Sequence, residues 1–249
     1  MPRPTDNQGQ STPTVTPAPG PFVQAHLTTR NLGRINYTDA LAQQELEHAR
    51  ILAARETPTP HTLGTILIVE HQPVITVSQR PNAQSHLLAS RESLAHLGID
   101  VQPTDRGGDI TYHGPGQIVL YPIIDLNAFN LRLHDYMRLL EQAIIDTLEH
   151  FHIPAQREQG ATGVWVPRPN QPPAKVAALG VRVRRWITTH GLALNVAVNL
   201  KHFDLIVPCG LTGREVTSMD KLLPPPPPTF DQVHPILVNN LAAALAQRL

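Results

Sequence analysis

The 249-residue sequence predicts an α+β domain built on a mixed, largely antiparallel sheet flanked by helices. Three observations carry that expectation. Strand-like segments come in runs, not in the one-to-one alternation with helices of a βαβ chain. Only a few stretches repeat apolar residues at helical spacing. Hydrophobic residues make up 41% of the chain, enough for one large core.

The elements follow in order. Residues 1–22 place Pro2, Pro4, Pro13, Pro17, Pro19 and Pro21 among Thr, Gln and Gly. That composition has too little apolar surface to offset ordering entropy, so a disordered tail is expected, with residues 23–249 as a single domain. Residues 36–55 read as a helix, with Leu41, Leu46, Ala49 and Leu52 at helical spacing. Residues 64–71 and 73–78 read as two strands with a Gln-Pro break between them. A short helix follows at 90–97, with Ser90 as N-cap and Gly98 as its stop. Residues 99–104 and 117–124 are β-like, the second (QIVLYPII) a nearly continuous apolar run. Residues 134–151 give the clearest helix, with Met137, Leu140, Ile144, Ile145 and Leu148 on one face. Strands are expected at 162–166, 175–185 and 187–197, and a closing helix near 231–248. Two further proline clusters punctuate this order. Pro167–Pro173 reads as an extended surface loop, and Pro224–Pro228 as a polyproline II spacer.

Composition narrows the function classes. Twenty Lys+Arg balance 20 Asp+Glu, which excludes binding to nucleic acid or an anionic membrane by bulk charge. No stretch approaches the ~18 consecutive apolar residues of a membrane span, and the N-terminal residues lack the apolar core of a secretory signal. Cys209 is the only cysteine, so neither an internal disulfide nor a thiolate zinc site is expected. These readings describe a soluble cytoplasmic protein with no metal, no cofactor, no nucleic-acid partner and no membrane partner.

Four segments carry chemistry. Arg106–Gln117 holds four glycines, at 107, 108, 114 and 116. A tight hairpin followed by a turn would explain the glycines but not Arg106 and His113 beside them; the alternative is a backbone that closes on a ligand. The spacing is not a dinucleotide fingerprint, and no Gly-Lys-Ser/Thr makes it a Walker loop. Lys175 opens an otherwise apolar strand. It is either an exposed strand end or a partly buried amine whose pKa falls by desolvation, making it usable as a base. His190 precedes Gly191 in a strand that alternates as a half-buried one, and a structural role is the simpler reading. Cys209 lies between Pro208 and Gly210 in a turn. It is either a small buried hydrophobe or a displayed nucleophile, and a nucleophile needs a base or a cation beside it. His113, His190 and Lys175 are the candidates, and the residues alone do not choose among them.

Longer motifs carry a resemblance. Arg106–Gln117 reads RGGDITYHGPGQ and runs on into VLYPIIDL; Lys175–Arg182 reads KVAALGVR; His190–Asn195 reads HGLALN; Pro208–Leu211 reads PCGL, with VTS at 216–218. In this order and spacing the chain resembles the octanoyltransferases of lipoate biosynthesis, also called lipoyl(octanoyl) transferases, over roughly residues 25–220. The resemblance implies a fold like the catalytic domain of biotin and lipoate protein ligases. It implies transfer of an octanoyl group from octanoyl-acyl carrier protein, through a cysteine thioester, to a specific lysine of lipoyl domains. The acceptors implied are the lipoyl domains of 2-oxoacid dehydrogenase E2 subunits and the glycine cleavage H protein. Carried over by position, Cys209 is the nucleophile and Lys175 the general acid/base. The acyl pocket falls on Arg106, Gly107, Gly108, Asp109, Ile110, Thr111, Tyr112 and His113, on Ala178, Leu179 and Gly180, and on Gly191, Leu192 and Ala193. Three departures stand out: Ser78 where many relatives have glycine, Asn199 where many have aspartate, and the proline-rich 167–174 insert. Two other functions remain open at this point, an ATP-dependent ligase of the same fold and a non-catalytic acyl-chain or carrier-protein binding module. For an acidic carrier protein, Arg182, Arg184, Arg185 and Trp186 form a candidate docking patch, the alternative being a solvated strand face.

Overall fold

The computed structural model describes residues 27–56, 62–207 and 214–249; the expected tail over 1–22 and the nucleophile candidate Cys209 lie outside the described residues. Among these residues the strands form two sheets. The larger has seven strands in the order β1-β2-β6-β10-β9-β8-β7, and the smaller has three in the order β4-β3-β5. β1 (Leu27–Ile35) runs parallel to β2 (Gly64–His71). Every other neighbour in the large sheet is antiparallel: β6 (Gln117–Ile124), β10 (Ile187–Asn195), β9 (Gln171–Arg184), β8 (Ala161–Arg168) and β7 (Gln156–Glu158). The small sheet pairs β3 (Val74–Ser78) parallel to β4 (Asp100–Thr104) and antiparallel to β5 (Ile110–His113).

The four expected helices form, and a short one is added at Met219–Leu222. α1 is Tyr37–Ala54, α2 is Arg91–His96 and α3 is Leu133–His150; a short α4 is Met219–Leu222 and α5 is Phe230–Ala246. Ser90 caps α2 by accepting a hydrogen bond from Ser93 N, and Thr229 with Gln232 forms a capping box on α5. Asn199, one of the departures, caps the 3₁₀ turn Leu200–Leu205 by accepting from Lys201 N.

Three expectations change. The apolar set proposed for α1 is not its buried face: Leu46 is 63% exposed, and the helix instead buries Tyr37, Ala40, Gln44, Glu47, His48 and Ile51. Arg106–Gln117 is not a hairpin, because β5 joins the small sheet and β6 the large one. Pro167–Pro173 is not a separate loop. β8 and β9 run through it as a hairpin closed at Asn170, whose φ of 57° suits an asparagine in a tight turn.

Packing places a different core on each face of the large sheet. α3 and α5 cover one face over a core that includes Ile118, Leu120, Leu192, Leu194, Leu140, Ile144 and Leu241. α1 covers part of the other over Leu67, Val69, Val119, Tyr121, Ile187 and Ala193. The small sheet has its own core of Ile75, Val77, Ile110, Tyr112, Leu94 and Phe203. Successive residues of a strand face opposite ways. With Ile110 and Tyr112 in that core, β5 turns Thr111 and His113 toward the large sheet.

Candidate active site

Between the two sheets lies a narrow, mainly apolar slot. Its floor comes from β9 (Ala178, Leu179, Gly180), β10 (His190 to Ala193) and β6 (Val119, Tyr121). Arg106, Thr111 and His113 cover it, and Tyr37 of α1 stands at the side. Three separate sequence motifs therefore converge on one space. A second cleft of about 410 Å³ is lined by Lys175, Gly107, Gly108, Arg80 and Gly160 among others, and shares Ala178, Leu179 and Gly180 with the slot. The volume falls within the ~300–1,000 Å³ usual for small-molecule sites.

Glycine is required where the Gly107 loop meets β9. Gly107 N donates to Val181 O at 2.9 Å, and a Cβ on Gly180 would come within 2.5 Å of Gly107 O. Any side chain at 180 would push the loop off the strand and open the slot. Arg106 is fixed at this junction, donating to Thr76 O at 3.1 Å, Thr76 Oγ1 at 2.9 Å and Gly107 O at 3.0 Å.

Lys175 is buried, with only 8% of its surface exposed. The exposed-strand-end reading is thereby set aside. Its Nζ lies 4.6 Å from the centre of the Trp165 ring, and the Arg214 guanidinium lies 4.8 Å from the same ring. Both cations draw on the electron-rich face of one indole. Arg214 is also paired with Glu158 at 2.7 Å. Backbone bonds fix the base of the lysine, with Lys175 N donating to Glu215 O and Thr217 N donating to Lys175 O, both at 2.8 Å. On the other side Val207 N donates to His86 O at 2.8 Å.

Apart from the Arg106 guanidinium, the slot's titratable groups are held neutral. His71 is fully buried and its pKa is pushed down to about 4 by desolvation. His113 lies well below the usual imidazole value for the same reason, reinforced by His71 nearby. Burial also lowers His190, although Asp105, 2.8 Å away, works the other way. His71 Nδ1 faces Ile35 O at 3.2 Å, so it carries the proton, and Nε2 accepts from the Tyr121 hydroxyl at 2.7 Å. His113 Nδ1 donates to Gln117 Oε1 at 2.7 Å, and Gln117 in turn donates to Asn195 Oδ1 at 2.9 Å. Burial raises the Tyr37 phenol and carries Tyr121 well above its ordinary value, so both stay neutral. The result is a mainly apolar space whose imidazoles and phenols are neutral, with the Arg106 guanidinium as its one cation among the lining residues, suited to an apolar chain. Among the described residues no group of three His, Cys, Asp or Glu is arranged to hold a metal.

The structure sorts the expected binding residues. Arg106, Thr111, His113, Ala178–Gly180 and Gly191–Ala193 line the slot, while Gly107 and Gly108 line the Lys175 cleft. Asp109 instead faces His86, at 2.5 Å. Ile110 and Tyr112 point into the small-sheet core, where the Tyr112 hydroxyl meets His202 Nδ1 at 2.8 Å. The arginine patch is partly spent: Arg182 pairs with Asp105, and Arg184 with Glu45 at 2.7 Å. Reading the residues did not single out Tyr37, Val119, Tyr121 or Trp165, and His190 was read as structural. Val119 and Tyr121 sit in an apolar run that looks like any central strand, and Tyr37 opens a helix. Only the register reveals that they face a gap.

Comparison with known proteins agrees with this geometry. The family model described as the lipoyl protein ligase A/B catalytic domain matches residues 36–242. An octanoyltransferase of Acidobacterium capsulatum is 41% identical over 216 residues, covering 83% of this chain and 85% of the relative. One from Solibacter usitatus is 47% identical over 193 residues, covering 78% and 82%. Among solved structures, the bi-partite lipoate protein ligase of Thermoplasma acidophilum superposes with a TM-score of 0.65 at 15% identity, covering 88% of this chain and 84% of that one. That likeness bears on the fold alone.

Proposed function

Since the chain belongs to the lipoyl protein ligase A/B catalytic-domain family and is an acyltransferase of its octanoyltransferase kind, we propose that it takes the octanoyl group from octanoyl-acyl carrier protein onto Cys209 and passes it to a lysine of a lipoyl domain. The acceptors in this reading are the lipoyl domains of 2-oxoacid dehydrogenase E2 subunits and the glycine cleavage H protein, and the reaction takes place in the cytoplasm. No described helix is long and apolar enough to cross a membrane.

The observation that carries the reading is the buried Lys175, in a cleft that shares Ala178, Leu179 and Gly180 with the apolar slot. In the first step the Cys209 thiolate attacks the thioester carbonyl. The carbon–sulfur bond to the carrier breaks, and the carrier leaves as a thiolate that takes a proton from Lys175. In the second step the acceptor amine attacks the new thioester and gives a proton to Lys175, and Cys209 leaves as thiolate. Thioester-to-thioester exchange is nearly isoenergetic, so the first step needs no ATP. The mainly apolar lining suits the octanoyl tail, and each buried methylene contributes about 0.8 kcal/mol.

Intact mass after incubation with octanoyl-acyl carrier protein tests this. The expected result is a gain of one octanoyl group, removed by hydroxylamine and absent in Cys209→Ser. An unmodified wild type with intact donor sinks the thioester route and favours an ATP-dependent ligation.

A further inference from the structure

The slot crosses the large sheet from strand to strand, and its floor changes character along the way. Register sets Ala178 of β9 beside Ala193 of β10, and Gly180 beside Gly191. The next strand puts Val119 beside Ala193, and beyond it Val69 beside Val119. Tyr121 stands two residues from Val119 on the same side of β6, beside Leu67. Small side chains on two strands thus give way to large ones on the third. The open end is fixed too, because Ala178–Gly180 belong to both the slot and the Lys175 cleft.

We infer that Val119 and Tyr121 are the stop that measures the acyl chain. This rests on the reading that the slot takes the acyl tail. From β9 to β6 is two strand spacings, about 10 Å. An eight-carbon acyl chain has seven carbon–carbon bonds of ~1.5 Å and extends about 9 Å as a zigzag. The wall also resists being pushed aside. The Tyr121 hydroxyl donates to His71 at 2.7 Å, and Tyr37 beside it donates to Thr104 Oγ1 at 2.7 Å. A longer chain would have to break one of these buried bonds, and a shorter one leaves apolar floor uncovered.

Two substitutions move the stop in opposite directions. Val119→Ala carries the small floor one strand further, and Ala193→Val blocks it one strand earlier. Ile118→Val is the control, since Ile118 faces the opposite core. Each protein is assayed with carrier-protein thioesters of six, eight, ten and twelve carbons. Thermal upshift by the free fatty acids of the same lengths is measured in parallel. Ratios between lengths do not depend on the folded fraction. Val119→Ala should raise the ten-to-eight ratio by about tenfold or more, and Ala193→Val the six-to-eight ratio by a similar factor. Profiles that stay at wild type in both variants, or that move as much in Ile118→Val, overturn the assignment while leaving octanoyl transfer standing. Fatty-acid profiles that shift as stated in a protein that uses no carrier thioester support the stop and remove the proposed donor instead.

Discussion

The two faces of the large sheet are packed by helices that differ in the share of polar surface they bury. α3 buries an apolar stripe of Tyr136, Leu139, Leu140, Ala143, Ile144 and Leu148, together with Glu141 and Thr147. α1 buries Gln44, Glu47 and His48 along with Tyr37, Ala40 and Ile51. Most of its buried polar groups have partners, the Gln44 Nε2 amide being the exception. Glu47 accepts from Arg30, Arg50 and Thr65 at 2.7, 2.8 and 2.9 Å. Burial opposes its charge, yet those bonds hold its carboxyl below the usual range. Gln44 Oε1 accepts from His190 N at 2.7 Å, holding a histidine at a positive φ of 57°. The difference teaches that one face is built mainly for cohesion and the other to keep a shaped, mainly apolar gap open between two sheets.

The sharpest way to break that comparison is to remove chemistry without touching cohesion. Lys175→Met should lower kcat by about 10³-fold, the scale of a lost general acid/base, while thermal unfolding stays close to wild type. Turnover within a factor of a few of wild type would remove Lys175 from the mechanism. On the other face, Ile144→Ala should cost about 2–5 kcal/mol in urea unfolding while the folded fraction keeps its kcat. A cost near zero would mean that α3 is not the cohesive face.

Acid should find the slot face next. His71 is held neutral with its pKa depressed from 6.5 to about 4, and His113 and His190 are lowered too. The unfolded chain therefore binds more protons than the folded one below about pH 6.5, and stability falls as pH drops from there toward pH 4. His71 alone accounts for about 3 kcal/mol of that loss. A denaturation midpoint that stays flat between pH 7 and pH 5 would contradict neutral, buried imidazoles. Smallest is Gln44→Leu, which strips the His190 N–H of its acceptor and should cost about 1–2 kcal/mol. It should also raise KM for the acyl donor, because His190 lines the slot.

The same contrast explains what could be read from the chain. α3 was legible because its burial follows apolar periodicity: Leu140, Ile144 and Leu148 stand on the expected face. α1 was legible as a helix but not in its orientation, since half of the residues it buries, Gln44, Glu47 and His48, are ones hydrophobicity assigns to solvent. The Gly-rich run announced a close backbone approach, and Gly107 against Val181 is that approach. That β5 and β6 part into different sheets was not visible, because strand pairing between segments far apart in sequence leaves no local mark. The motifs carried the family, and the slot's far wall emerged only from register.

The chain holds two tryptophans, Trp165 and Trp186. Trp165 is fully buried beneath two cations, and Trp186 is half exposed on the β9–β10 turn. The protein therefore carries its own optical probe. With Trp186 replaced by phenylalanine, the remaining emission comes from an indole whose electric field is set by the Lys175 ammonium and the Arg214 guanidinium. A change in the charge or position of either cation then registers as a change in colour and yield, so the proposed proton transfer at Lys175 has a label-free readout.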